Sequence, residues 1–374
     1  MVKDLREIPD IPFNPAVKAW KEQGKKVVGF LCSFVPEEII YAADILPYRV
    51  RATGCNRTTQ ADLCMSNFTC SFARSCLEFA IDGSYNFLDG LVGLDSCAMI
   101  HKLYDNWRIG TNPSFSHFLT VPHKNGDSAI LWYRDEIEAL KQAVQEHFGT
   151  EIRRESLERA IEIYNETRGL LRELYELRKS QALPITGSET QSLVLAAMSM
   201  PREQYNEILR RSLEEIRARE PITDYRVRLM VIGSALDDPA FIKIIEDQGG
   251  IVVTDSLCFG NRYFRESVEI REDLLASLAK SYLSGPRCPR MMEQHALIFE
   301  FIKDMVQTYK VDGIIYQKMQ FCDLWGGESL YLENKLKESK IPFLSFQREH
   351  IVTHAGQIAT RVEAFIEMID GVIE

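Results

Sequence analysis

The chain has 374 residues, 45% hydrophobic and 26% charged, with a formal net charge of -10. That length accommodates two ordinary globular domains, each with its own core. The acidic balance and the lack of long Lys/Arg blocks exclude nucleic acid and anionic membrane surfaces as main partners, although a local basic pocket is compatible with both. The opening stretch "MVKDLREIPDIPFNPAVKAW" carries charges and prolines where a signal peptide needs an apolar core, and no later stretch is long and uncharged enough to span a membrane. A cytoplasmic location is expected, and in that reducing compartment the nine cysteines read as metal-binding or catalytic rather than disulfide-forming.

In chain order, "KKVVGFLCSFV" is an apolar run closed by Pro36, and "PEEIIYAADIL" then repeats its apolar residues at helical spacing with Pro in the first turn. "PYRVRATG" reads as a short strand, "NFLDGLVGLDSC" as a buried one and "FSHFLTVP" as another, with helical segments between them. From "ILWYRDEIEALKQAVQEHF" to "EEIRARE" the pattern is almost continuously helical, including "SLERAIEIYNETRGLLRELYELRKS". A second alternation begins at "YRVRLMVIGSAL" and continues through "FIKIIEDQGGIVVTDSLCFG", "VDGIIYQKMQFCD" and "IPFLSF". Strands alternating with helices predict parallel α/β architecture. The expected fold is α/β, with two Rossmann-like, flavodoxin-like parallel-sheet domains joined by a helical connector. The expected boundaries are an N-terminal extension over 1–20, a first domain over 21–150, the connector over 151–222 and a second domain over 223–374.

In open parallel sheets, ligands sit beyond the carboxyl ends of the strands. Cys32, Cys97, Cys258 and Cys322 each fall at or just after such an end, and Cys70 directly precedes a helix whose positive N-terminus should favour a thiolate. Cys32 and Cys76 read as packing residues, since free cysteine is commonly buried. Cys70, Cys97 and Cys322 sit among polar loop residues and read as ligands. No compact CxxC pair occurs, so a zinc ribbon or ferredoxin-type site is not indicated, and any cluster must be assembled across both domains.

These stretches resemble the 2-hydroxyacyl-CoA dehydratase and class I benzoyl-CoA reductase family, which includes double-cubane cluster proteins. The likeness runs from "AVKAWKEQGKKVVGFLCSFVPEEIIYAADILPYRV" through "TCSFAR", "FLDGLVGLDSC", "AIEIYNETRGLLRELYELRK", "DSLCFGNRYF", "GPRCP" and "MQFCD" to "GQIATRVEAFIEMI". It implies a [4Fe-4S] cluster on Cys70, Cys97 and Cys322 in the inter-domain cleft, with one iron lacking a cysteine ligand. It also implies low-potential electrons from a separate ATP-hydrolysing iron-sulfur activator protein, consistent with the absence of a GxxxxGK[ST] phosphate loop. Ser33 matches a catalytic position whose hydroxyl can face the substrate; a capping role in the Pro36 region is the alternative. The partner implied is a second copy or a homologous subunit, and the substrate a small molecule or acyl-CoA. The cysteines exceed what one cluster needs. Drawing three more ligands from Cys55, Cys64, Cys258 and Cys288 would complete a sulfide-bridged double-cubane [8Fe-9S] cluster, and this reading is favoured over one cluster with spare thiols. A single-cluster subunit of a heteromeric enzyme and a non-catalytic electron relay are the alternatives.

Other residues carry less. His350 and His354 lack the glutamate of a zinc-protease motif and read as surface or loop residues. Asp323, Glu328 and the glycines of "CDLWGGES" read as a turn above the cluster. Lys102, Arg108 and Lys318 read as solvated charges rather than phosphate ligands.

Overall fold

The computed structural model describes residues 2–285 and 287–373. Pro286 of "GPRCP", and Met1 and Glu374 at the expected outer boundaries, lie outside the described residues. The first sheet comprises β1 (Val27–Phe30), β2 (Leu46–Arg49), β3 (Gly90–Leu94) and β4 (Phe115–Leu119), in the order β2-β1-β3-β4. The second comprises β5 (Val227–Gly233), β6 (Gly250–Ser256), β7 (Gly313–Met319) and β8 (Phe343–Arg348), in the order β6-β5-β7-β8. Every pairing is parallel. Both sheets therefore share the order of the first four strands of a flavodoxin-like sheet, and the α/β expectation is met. In each, the order reverses beside the first strand, leaving a crevice at its carboxyl end.

β1 and β3 are buried along their whole length, which is why their sequences are unbroken apolar runs rather than alternating ones. Helix Ala98–Thr111 lies close on β3 because Gly93 has no side chain, since a Cβ there would collide with the Tyr104 ring. Gly233 ends β5 at φ +125°, where a Cβ would overlap the Gln317 carbonyl. Only glycine takes that turn without strain.

Helices Asp127–Phe148, Arg154–Glu176, Gly187–Ala197 and Arg202–Arg217 lie between the sheets in sequence. The run is less continuous than its pattern predicts. Gly149 stops the first of them in the left-handed conformation, and after Leu183 bridges Ile222, Thr186 and Glu189 form a capping box that starts the third.

Two buried clasps join these parts. Helix Glu37–Tyr41 follows β1 and buries both its glutamates. Glu37 pairs with Arg202 at 2.5 Å and accepts from the Tyr263 hydroxyl at 2.8 Å. Glu38 pairs with Arg168 at 2.6 Å and accepts from Tyr282 at 2.7 Å. One dipeptide thus binds the central helices and the second α/β unit to the first. In the second clasp, Asp237 accepts from the Ala52 N–H at 2.6 Å and pairs with His350 Nε2 at 2.8 Å, while the His350 N–H donates to Ser71 Oγ at 2.7 Å. Burial alone would raise the Asp237 pKa, but His350 and the Ala52 N–H outweigh it and hold the carboxyl at about 2. His350 is therefore a buried structural partner and not the surface residue its loop position predicts; His354 is exposed.

Both clasps have measurable consequences. An intact buried pair contributes little net stability, because desolvation offsets attraction, but removing one member leaves a buried charge. Glu38→Ala should cost about 3–5 kcal/mol in denaturant unfolding, and Glu38→Leu/Arg168→Met should cost much less. The Asp237 carboxyl titrates below its ordinary value of 3.8, so its contribution of roughly 2 kcal/mol is present above that value and lost as pH falls through the native one. Urea midpoints should fall more steeply for the wild type than for Asp237→Asn over the acid range below about pH 4.

Candidate functional site

A cavity of about 840 Å³, open mouth included, lies where the carboxyl ends of the two sheets face each other. Its lining includes six cysteines: Cys32, Cys70, Cys97, Cys258, Cys288 and Cys322. Cys32 follows β1 and Cys97 follows β3, flanking the switch point of the first sheet; Cys322 follows β7 beside the switch point of the second, where Ser234 and Ala235 also reach the wall. Cys258 follows β6, and Cys288 comes from the loop after helix Leu274–Ser284.

The thiols fall into two groups. Cys70, Cys97 and Cys322 occupy the N-cap positions of helices Ser71–Ile81, Ala98–Thr111 and Asp323–Glu338. None of these caps is closed by its own side chain, so three helix N-termini point toward the cavity. Cys32, Cys258 and Cys288 come instead from loops, and Cys32 is close enough to act electrostatically on both of the others. Cys32 is also an electrostatic neighbour of Cys97, so the two groups adjoin.

Burial dominates the thiol chemistry. It pushes Cys70 up to about 12, with Cys322 adding to the rise, and the N–H groups of Ala73 and Phe72 only partly oppose it. The helix N-terminus therefore does not by itself produce the thiolate that the sequence predicts at Cys70. Burial raises Cys97 and Cys288 as well, and lifts Cys258 to about 11 despite Arg262 and Arg49. Such thiols ionise on binding a metal, with release of their protons.

Around the thiols the wall is mostly apolar, including Leu31, Phe34, Phe72, Ile100 and Trp325, but three arginines also line it. Each guanidinium rests on an aromatic face: Arg49 at 4.9 Å from Phe259, Arg262 at 4.9 Å from Trp325, and Arg290 at 4.9 Å from Phe34. Arg290 spends its donors on the carbonyls of Asp95, Val121 and Pro122. Arg49 Nε and Nη1 and Arg262 Nε are buried and find no hydrogen-bond partner among the described residues. Orphaned cationic donors beside a group of thiols are what an anionic occupant would satisfy.

No three His, Cys, Asp or Glu side chains among the described residues converge tightly enough to hold a single metal ion. A polynuclear cluster does not need that convergence, because each thiolate binds a different iron around an extended body. The cysteines are spread around the cavity rather than gathered at one point, which fits iron-sulfur ligation and not a mononuclear zinc or calcium site.

The other candidates separate clearly. Ser33 is buried and donates to the Cys258 carbonyl at 3.3 Å rather than capping a helix. It lines both the main cavity and a smaller hollow of about 280 Å³, which also shares Arg262. Cys55 and Cys64 do not line the cavity. Cys55 is buried with its sulfur 3.0 Å from the Arg57 carbonyl, and Cys64 is exposed. Their loop is drawn down the side of helix Ser71–Ile81, because Glu78 accepts from the N–H groups of Gln60 and Ala61 at 2.7 and 2.9 Å, two turns from the Cys70 end. Cys76 is fully buried in that helix. Asp323 lines the cavity, whereas Gly326 and Gly327 lie inside helix Asp323–Glu338 and form no turn. Glu328 binds His295, Lys318 binds Glu333 at 2.9 Å, and Lys102 and Arg108 are exposed.

Cys32, which reads as a packing residue in the sequence, lines the cavity, as do Arg49, Arg262 and Arg290, which no sequence motif singles out. The available signal was positional: Cys32 and Arg49 sit at strand ends, and Arg262 and Arg290 lie in or beside the cysteine-bearing "DSLCFGNRYF" and "GPRCP" loops.

A sequence profile of the 2-hydroxyglutaryl-CoA dehydratase D-component family matches residues 32–369, and the chain belongs to that family. It is 25% identical to a benzoyl-CoA reductase subunit of Thauera aromatica over 369 residues, 95% of each chain. It is 28% identical to the putative dehydratase subunit YjiM of Escherichia coli (strain K12) over 93% of each chain, and 26% identical to the beta subunit of (R)-2-hydroxyglutaryl-CoA dehydratase of Acidaminococcus fermentans over 99% of each. No helix among the described residues is long and apolar enough to cross a membrane.

Proposed function

We propose that this chain is an oxygen-sensitive iron-sulfur reductase or radical dehydratase whose cavity holds a sulfide-bridged double-cubane [8Fe-9S] cluster. Cys70, Cys97 and Cys322 hold one cubane, and Cys32, Cys258 and Cys288 hold the other. The observation that carries this reading is the six thiols, drawn from both sheets, that line a single apolar cavity. Cys32 takes the place that Cys55 or Cys64 would fill, since neither of those reaches the wall.

When bound, such a cluster supplies electrons of very low potential to a substrate. The protein supports it in ways readable from its own residues. The apolar wall excludes water, the helix N-termini and guanidiniums offset the anionic charge, and Ser33 presents a hydroxyl at the junction of the two hollows. No step requires this chain to bind ATP, in keeping with a separate ATP-hydrolysing activator protein as electron donor in the cytoplasm. A small substrate suits the confined cavity better than a whole acyl-CoA.

A second reading has its own support. The relatives are named as subunits of a benzoyl-CoA reductase and of dehydratases, which favours a single-[4Fe-4S] chain working with a homologous partner on an acyl-CoA. Iron and acid-labile sulfide analysis of anaerobically purified protein separates the two. The double-cubane reading predicts about eight irons per chain, falling by about half in Cys32→Ser and unchanged in Cys55→Ser and Cys64→Ser. About four irons in the wild type would select the single-cluster reading. Turnover by this chain alone, with activator, ATP and a strong reductant, would exclude an obligatory second subunit.

A further inference from the structure

The two groups of thiols sit in different electrostatic surroundings. The Arg49 guanidinium lies over the rings of Phe30 and Phe259, at 5.4 and 4.9 Å, close in sequence to Cys32 and Cys258, and Arg262 donates to the Arg287 carbonyl at 3.4 Å, next to Cys288. Arg262 and Arg49 are accordingly the cationic neighbours of Cys258, and Arg262 and Arg290 those of Cys288. The leading cationic neighbour of Cys70 is Arg348, and the leading electrostatic neighbours of Cys97 are other cysteines. Arg348 offers that group little, because its donors are taken by Gln317 Oε1 and by the carbonyls of Glu349 and Ala235, and Asp237 lies beside it. Against this, Cys70, Cys97 and Cys322 gain three helix N-termini.

Magnitudes decide between the two devices. A helix N-terminus acts as about half an elementary charge, felt within its first turn, so three together amount to roughly one and a half. The three cavity arginines carry a full charge each. Two of them also retain buried N–H groups with no partner among the described residues, and hydrogen bonds to cluster sulfur together with nearby positive charge raise a reduction potential. Arg49 is 3% and Arg262 3% exposed, so water does not screen either of them strongly.

We propose that Arg49 and Arg262 are potential-setting residues that make the half of the site built on Cys32, Cys258 and Cys288 the more easily reduced half. The inference rests on the two-cubane reading and deepens it: the site is polarised, and an added electron comes to rest on the arginine side. Neither arginine is a catalytic residue here. Both act through charge and hydrogen bonding on the occupant of the cavity.

The test is a potentiometric titration, followed by electron paramagnetic resonance, of full-length protein purified anaerobically with its native iron and sulfide. Wild type, Arg49→Met, Arg262→Met, Arg49→Lys and Cys97→Ser are compared, with iron content measured on each sample. Two reduction steps are expected. Each Arg→Met change should shift the higher-potential step about tenfold toward the oxidised form, ~59 mV for one electron, and leave the lower step in place. Arg49→Lys should restore most of the shift, and Cys97→Ser, which like Cys32→Ser removes a ligand and about half of the iron, should abolish or move the lower step. With about eight irons present, an unmoved higher step, equal movement of both steps, or a Cys97→Ser effect on the higher step would overturn the proposal alone. About four irons in the wild type would overturn the two-cubane reading and the proposal together. Arg49 leaves two buried N–H groups without a partner among the described residues and Arg262 makes only long bonds, 3.4 and 3.5 Å, to the Arg287 and Gly233 carbonyls, so neither Met change is expected to unfold the chain, and testing two separate arginines keeps the result independent of either variant's yield.

Discussion

Two adjacent carboxylates, Glu37 and Glu38, fix the geometry on which everything else depends. They sit immediately after the loop that carries Cys32 and Ser33, and each is held by a buried arginine and a tyrosine hydroxyl from elsewhere in the chain. That loop cannot shift without breaking charged hydrogen bonds in a low-dielectric interior, where an unpaired carboxylate is strongly penalised. The Asp237 and His350 clasp performs the same service on the other flank, tying the segment after β5 and the segment after β8 to Ala52 and Ser71. The two clasps thus frame the cavity from both sides.

Duplication of one strand order does the rest. A parallel sheet with the flavodoxin order presents a crevice where its order reverses, and here two such crevices open onto one space. Apolar side chains from both units line it, and each arginine in its wall rests on an aromatic ring. The result is a water-poor pocket rich in soft sulfur donors and edged by positive charge. That combination is poorly suited to a hard metal ion or to proton-transfer chemistry by histidine, and well suited to an anionic iron-sulfur body.

Much of this was legible in the sequence. Alternating apolar runs and amphipathic segments revealed both α/β units, and the cysteines at strand ends marked the side on which a site would form. What remained hidden depended on long-range contact. Cys32 looks like core because "GFLCSFV" is apolar on both sides of it, and only the strand order reveals that this strand end borders the crevice. Cys55 and Cys64 look as available as Cys258 and Cys288 until Glu78 is seen pulling their loop away. "PEEIIY" shows the helix but not that both glutamates point inward, since the burial of a charge is decided by partners more than 100 residues distant. His350 reads as a loop residue for the same reason, its partner Asp237 lying 113 residues away in sequence.

The most direct measurement is the anomalous diffraction of iron from crystals grown without oxygen. Anomalous density is expected for two linked cubanes inside the cavity, one bonded to Cys70, Cys97 and Cys322 and the other to Cys32, Cys258 and Cys288. A single cubane on Cys70, Cys97 and Cys322, with the other three thiols free, would contradict it.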